Sequence, residues 1–186
     1  ALREAPDVIM IGEIRDRNTM KQAIAYAETG HLCLSTLHAN NANQAMERVI
    51  NFFPEEAHRQ LLVDLSLNLA GVVSQRLIPG LHEKLVPAVE VMLNSSYISD
   101  LIAKGEFSGI KEAMARSTEI GMCTFDQALY QLYTEDRISL DEALHNADSR
   151  TDLALRIRLA AGVSTQDAGD LSIDTSSPIQ SAARLA

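Results

Sequence analysis

Apolar positions along this chain follow two rhythms. Up to about residue 93, short β-branched runs alternate with stretches spaced for helices, and beyond it only the helical spacing recurs. Val8–Ile11 predicts a buried strand, broken by Gly12. Met20, Ile24 and Ala27 then recur at helical intervals, with Asn18 and Thr19 offering a cap and Gly30 a stop. Residues 31–37 read as a second strand, Asn40 and Asn41 as a turn, and Ala45, Val49 and Phe52 as the inner face of another helix that ends at Phe53 and Pro54. Leu61, Leu65 and Leu69, continued by Val72 and Val73, predict one long amphipathic helix over 55–75, with a core-facing aliphatic stripe. Pro79 and Gly80 stop it, and Leu85–Leu93 is Val-rich enough for a third core strand. Strands alternating with helices are the βαβ pattern of a parallel sheet covered by helices, so the expected class is α/β.

The second half changes character. Residues 98–102, 110–114, 125–133, 140–144 and 153–159 all carry apolar side chains at i, i+3 and i+4, which predicts a helical subdomain over 94–162 behind an α/β part over 1–93. Residues 163–186 are rich in Ser and Thr and lack aromatics, too little apolar area to offset ordering entropy, so a disordered tail is expected there.

Composition narrows the function classes. With 186 residues, 46% hydrophobic and 22% charged, the chain has the makeup of a globular protein and room for one full-sized domain. Its formal charge of -9 opposes the basic footprint of phosphate-backbone binding, so no nucleic-acid partner is expected. Cys33 and Cys123 have no C-x-x-C context and read as reduced structural thiols. No apolar run approaches the ~20 residues that cross a bilayer. The chain begins with Ala and runs straight into patterned sequence without a signal peptide, which suggests a fragment.

The chemistry is concentrated in residues 2–16, Leu-Arg-Glu-Ala-Pro-Asp-Val-Ile-Met-Ile-Gly-Glu-Ile-Arg-Asp. A buried strand ending in Gly12-Glu13 delivers a carboxylate at its C-terminal edge, where open α/β sheets bind ligands. This is the Walker B arrangement, in which the acid acts on Mg²⁺ through its waters or on the water that attacks a γ-phosphate. The whole stretch resembles the signature of the type II/IV secretion ATPase family. Residues 27–31 (Ala-Glu-Thr-Gly-His) and 35–40 (Ser-Thr-Leu-His-Ala-Asn) resemble that family's histidine box, and Gln75-Arg76-Leu77 a further family segment. The resemblance covers roughly residues 1–160 and is strongest to the PilT/PilU-type branch, which drives type IV pilus retraction and twitching motility.

The resemblance implies the C-terminal part of a RecA-like P-loop NTPase domain, with ATP and Mg²⁺ as cofactors. It assigns Glu13 to the Walker B glutamate, His31 and His38 to the histidine box, and Arg3 and Arg15 to the signature arginines. A strand from His31 to His38 is on the order of 20 Å long, so both cannot touch one γ-phosphate. The C-terminal-edge rule favours His38, beside Glu13, as the phosphate sensor and leaves His31 for packing or a subunit contact. Arg3 and Arg15 flank the strand at opposite ends; either could stabilise charge across a subunit interface. Thr36 could bond phosphate-linked water, or simply favour the strand. The implied assembly is a homo-hexamer, or a hetero-assembly with a paralogous retraction ATPase, working on an inner-membrane pilus platform protein from the cytoplasm.

Two departures qualify the resemblance. None of Lys21, Lys84, Lys104 and Lys111 follows a glycine, so the G-x-x-x-x-G-K-[ST] phosphate cradle is not in this sequence and the fragment alone is expected to be inactive. Where retraction ATPases carry Ala-Ile-Arg-Asn-Leu-Ile, residues 97–102 read Tyr-Ile-Ser-Asp-Leu-Ile, which favours the PilU-like accessory branch and keeps a non-catalytic interaction module as the alternative. Other sites fail on geometry: Cys33 points to the opposite strand face from His38, and His82-Glu83 lacks the second histidine of a zinc helix. The acidic residues Asp126, Glu135, Asp136, Asp141 and Glu142 read as a solvated helical face.

Overall fold

The computed structural model describes residues 6–160 and 162. The tail expected over 163–186 lies outside the described residues. The chain is α/β. A short strand β1 (Val8–Ile11) leads to helix α1 (Arg17–Glu28), and β2 (Leu32–Ser35) pairs in parallel with β1 in the register Val8↔Leu32 through Ile11↔Ser35. The cap of helix α1 falls two residues earlier than expected, because the Asp16 carboxylate accepts the amides of Asn18 and Thr19 at 2.8 and 2.9 Å. It ends where Gly30 turns at φ +88°. Helix α2 (Ala42–Asn51) is capped by Asn41, whose side chain accepts the Gln44 amide at 2.9 Å.

The long helix expected over 55–75 stops at residue 68. Helix α3 (Glu55–Asn68) is followed by a strand, β3 (Gly71–Pro79), which forms an antiparallel hairpin with β4 (Leu85–Leu93). Leu85–Leu93 is therefore a core strand, but its partner is its own predecessor rather than a parallel sheet. The turn between them requires glycine at position 80, since a Cβ there would sit 2.5 Å from the Glu83 carbonyl. The remaining chain is helical: α4 (Ser96–Lys104), α5 (Ile110–Ala115), α6 (Phe125–Thr134), α7 (Leu140–Asn146) and α8 (Arg150–Ala160).

Two buried clusters hold these elements. One gathers Met20, Met46, Leu61, Leu65, Met92, Ile98, Ile102 and Met114 from α1 to α5. The other packs Ile78, Val86 and Ala88 of the hairpin against Phe125, Leu129, Ala143 and Leu153 of α6 to α8. The hairpin lends one end to each cluster. Leu61 and Leu65 are buried and Leu69 packs against the first cluster, as the aliphatic stripe predicts.

Candidate functional site

Beyond the paired residues of β1 and β2, the two chains stay zipped. The Ile14 amide donates to the Thr36 carbonyl at 3.0 Å, and the Thr36 hydroxyl donates to the Gly12 carbonyl at 2.5 Å. These bonds carry Glu13 and His38 out of the C-terminal ends of adjacent parallel strands and set them face to face. His38 Nε2 lies 2.8 Å from Glu13 Oε1. The approach is short but off-line, and Oε1, closed off from solvent, has no aligned hydrogen-bond donor among the described residues. The other carboxylate oxygen, Oε2, accepts from Arg15 Nε and Nη2, both at 2.5 Å.

Glu13 is one-fifth exposed while His38 is 77% exposed, so a recessed carboxylate sits under an accessible imidazole. The Arg15 hydrogen bond holds the Glu13 carboxyl below the usual carboxylate range, against a smaller opposing push from burial. The charges of His38 and of Arg48 on α2 act in the same direction. An ionised acid surrounded by three potential cations can orient a water or a hydrated cation, and the surplus positive charge suits an anionic ligand.

The other expected residues fall elsewhere. His31 lies at the C-terminal end of α1, its Nδ1 3.0 Å from the Thr29 hydroxyl and its ring set edge-on to Tyr26, at the opposite end of β2 from Glu13. The hydroxyl proton of Thr36 is committed to Gly12, so this side chain braces the strand ends and offers only its lone pairs to a ligand. Arg3 lies outside the described residues. Cys33 packs with the first cluster, and burial pushes its thiol pKa up, the reverse of what a nucleophile needs. Among the described residues, no group of three or more His, Cys, Asp or Glu side chains could cage a metal, and no helix is long and apolar enough to cross a membrane.

The sequence does not single out Arg48 or Glu90, and it marks Arg76 only as part of a family segment. Arg48 approaches the site from an exposed helical face whose spacing carries no sign of it. Arg76, just past the helix expected over 55–75, lies in β3 and points inward, opposite Ala88. Glu90 is a buried carboxylate on the inner face of β4; the alternation Val86, Ala88, Glu90, Met92 places it there, and that was the available signal.

Comparison with known proteins gives a consistent set of relatives. The family model described as type II/IV secretion system protein matches residues 1–155. The chain is 59% identical over 172 residues to the type IV pilus ATPase PilU of Pseudomonas aeruginosa, an alignment covering 92% of this chain and 44% of that protein. It is 37% identical over 147 residues to the type IV pilus retraction ATPase PilT of the same species, covering 79% of this chain and 43% of that one. Among solved structures, the pilus retraction motor PilT with bound ADP superposes with a TM-score of 0.74 at 35% identity, over 83% of this chain and 43% of the other. The ATPase DotB of Yersinia pseudotuberculosis follows at 0.68 and 26%, over 77% of this chain and 37% of that one. The chain thus spans less than half the length of these relatives.

Proposed function

The chain belongs to the type II/IV secretion system protein family, and on that premise we propose that it is the Walker B and histidine-box portion of a RecA-like motor ATPase that couples ATP hydrolysis to type IV pilus retraction and twitching motility. The observation that carries this reading is Glu13, ionised at the C-terminal edge of β1 and 2.8 Å from His38. Glu13 orients the water that attacks the γ-phosphate and takes up its proton. His38, exposed above it, faces the phosphate and reports its loss. Arg3, or Arg15 in addition to its clamp on Glu13, stabilises charge at a subunit interface, while Thr36 braces the site and His31 serves packing or a subunit contact.

The residues present fit a magnesium ion held through water: one acid, kept charged, with, among the described residues, a carboxylate oxygen free of aligned donors and no cage of acids around it. Bound there, the ion would neutralise charge on the phosphates, with Glu13 holding its waters. The motor is a hexamer, alone or mixed with a paralogous retraction ATPase, in the cytoplasm at the inner membrane, and it acts on the pilus platform protein. The segment over 1–93 supplies the nucleotide side and 94–162 the helical subdomain.

A second reading, an accessory subunit of a paralogous motor, is favoured by residues 97–102. Ser99 donates to the Ser66 carbonyl at 2.7 Å and Asp100 pairs with Lys104 at 2.7 Å, so no arginine projects from the place where retraction ATPases carry one. Steady-state ATP hydrolysis by the longer protein that contains this segment separates the two. The motor reading expects turnover that Glu13→Gln lowers at least 100-fold. Parent protein without turnover supports the accessory reading, and a Glu13→Gln variant with near-parental turnover removes Glu13 from the chemistry.

A further inference from the structure

The loop that follows His38 is tied down at two points by the inner face of the β3–β4 hairpin. On one side, Glu90 Oε1 accepts the amide of Ala42, the first residue of α2, at 2.8 Å. Glu90 is only 3% exposed, and burial raises its pKa while that amide works to keep it charged. On the other side, Arg76 Nη2 reaches the carbonyl of Asn40 at 3.4 Å. Asn40 and Ala42 stand two and four positions after His38, so both anchors act on the segment that carries the imidazole.

The same arginine holds the far side of the molecule. Arg76 Nη1 donates to the Asn146 carbonyl at 2.9 Å, Nη2 pairs with Asp148 at 2.7 Å, and the guanidinium lies 3.9 Å above the ring of the fully buried Phe125. Asp148 and Asn146 form the turn between α7 and α8. Beyond them the polar chain continues: Lys111 sits 2.8 Å from Asp126 and 3.5 Å from Asp148, and Asp126 Oδ1 accepts the Asp148 amide at 2.8 Å. A planar fork with five donors, held by stacking and by three acceptors on two different elements, has little freedom to follow one partner without the other.

We propose that Arg76 and Glu90 are positioning residues that lock the loop behind His38 to the α7–α8 turn, so that displacement of either is transmitted to the other through the hairpin. Its mechanistic use rests on the proposed reading that His38 faces a phosphate; the linkage itself rests on the contacts above. Attachments to both sides made by one guanidinium give a physical basis for coupling, because the energy of the arrangement on one side then depends on the arrangement on the other.

The test is made on the longer protein that contains this segment, by hydrogen exchange with and without ATP, together with steady-state turnover. Asp148→Ala removes the arginine's side-chain partner on the helical side, together with the longer Lys111 contact, and leaves the Asn146 carbonyl and both anchors on the loop in place. The linkage expects the amides of Ala42, Gln44 and Ala45 to exchange at least tenfold faster, although they lie on the other side of the hairpin. It also expects kcat to fall about tenfold with KM for ATP within twofold. Arg76→Lys, which keeps charge but not the fork, gives an intermediate change in both and serves where Asp148→Ala does not fold. Faster exchange confined to residues 146–150, or kcat within twofold of the parent, overturns the inference. A parent that does not hydrolyse ATP defeats the proposed function instead, and the exchange at Ala42, Gln44 and Ala45 then decides the linkage by itself.

Discussion

Among the described residues β1–β2 and β3–β4 form two sheets of two strands each, yet they live in opposite environments. In the β3–β4 hairpin the inner face is sealed: Ile78, Val86, Ala88 and Met92 are fully buried against helices from both clusters. In the β1–β2 pair only one face is packed, through Ile11 and Cys33. Its other face leaves Val8, Met10, Leu32 and Leu34 at 49, 79, 49 and 45% exposure, a contiguous apolar surface set by the parallel register. The strand that carries Glu13 is thus the less supported of the two. Its site geometry depends on the few bonds at the strand ends, whereas the hairpin's depends on packing.

This contrast gives a graded set of expectations. The largest concerns the hairpin side. Phe125→Ala opens a void under the Arg76 guanidinium and in the second cluster, and urea unfolding should show a loss of about 3–5 kcal/mol. A loss below ~1 kcal/mol would mean that this packing is not what holds the hairpin. Next comes the buried Glu90. Its folded pKa is raised, so the native state keeps a proton that the unfolded chain releases near about pH 4.3. Stability should therefore fall as pH rises from about 4.3 through the raised native value, and Glu90→Gln should flatten that part of the stability–pH curve. An unchanged slope would place the titration elsewhere.

At the β1–β2 pair, Thr36→Val removes the hydroxyl that holds the two strand ends, an expected cost of about 1 kcal/mol by the same unfolding measurement. Its sharper signature is local: the Ile14 amide, bonded to the Thr36 carbonyl, should lose hydrogen-exchange protection while amides of the hairpin keep theirs. The smallest effect belongs to the open face. Met10→Ser should change the stability of this chain by no more than ~0.5 kcal/mol, because its side chain already meets solvent. A cost of about 2 kcal/mol would show that the face is covered in solution and would erase the contrast between the two sheets.

The same contrast explains which parts were legible in the sequence. The helices after residue 95 were readable because their inward stripes are apolar and regular, as Ile98, Leu101 and Ile102 show. Strand β1 was readable as a run of aliphatics bounded by Gly12. The hairpin was half hidden. In β3 the inward positions 72, 74, 76 and 78 are Val, Ser, Arg and Ile, while Val73 and Leu77 point outward at 71 and 56% exposure, so the alternation of polar and apolar is inverted in its middle. The leucine spacing of α3 then runs on through Val72 and Val73 and imitates a longer helix. Glu13 and His38 could be paired from the C-terminal-edge rule because both sit at strand ends. Arg15 as the clamp on Glu13, Arg48 as a nearby charge, and the joint anchoring of Asn40 and Ala42 depend on how α2 and the hairpin are packed, which spacing along the chain does not encode.

The hairpin's position has one more consequence. Because Met92 belongs to the first cluster and Ile78, Val86 and Ala88 to the second, the β3–β4 pair is a common wall. Neither cluster can open by losing this wall without stripping the other, so what looks like two regions along the chain should melt as one cooperative unit. In calorimetry that is a single transition with matching van't Hoff and measured enthalpies, in which the helical half has no melting temperature of its own.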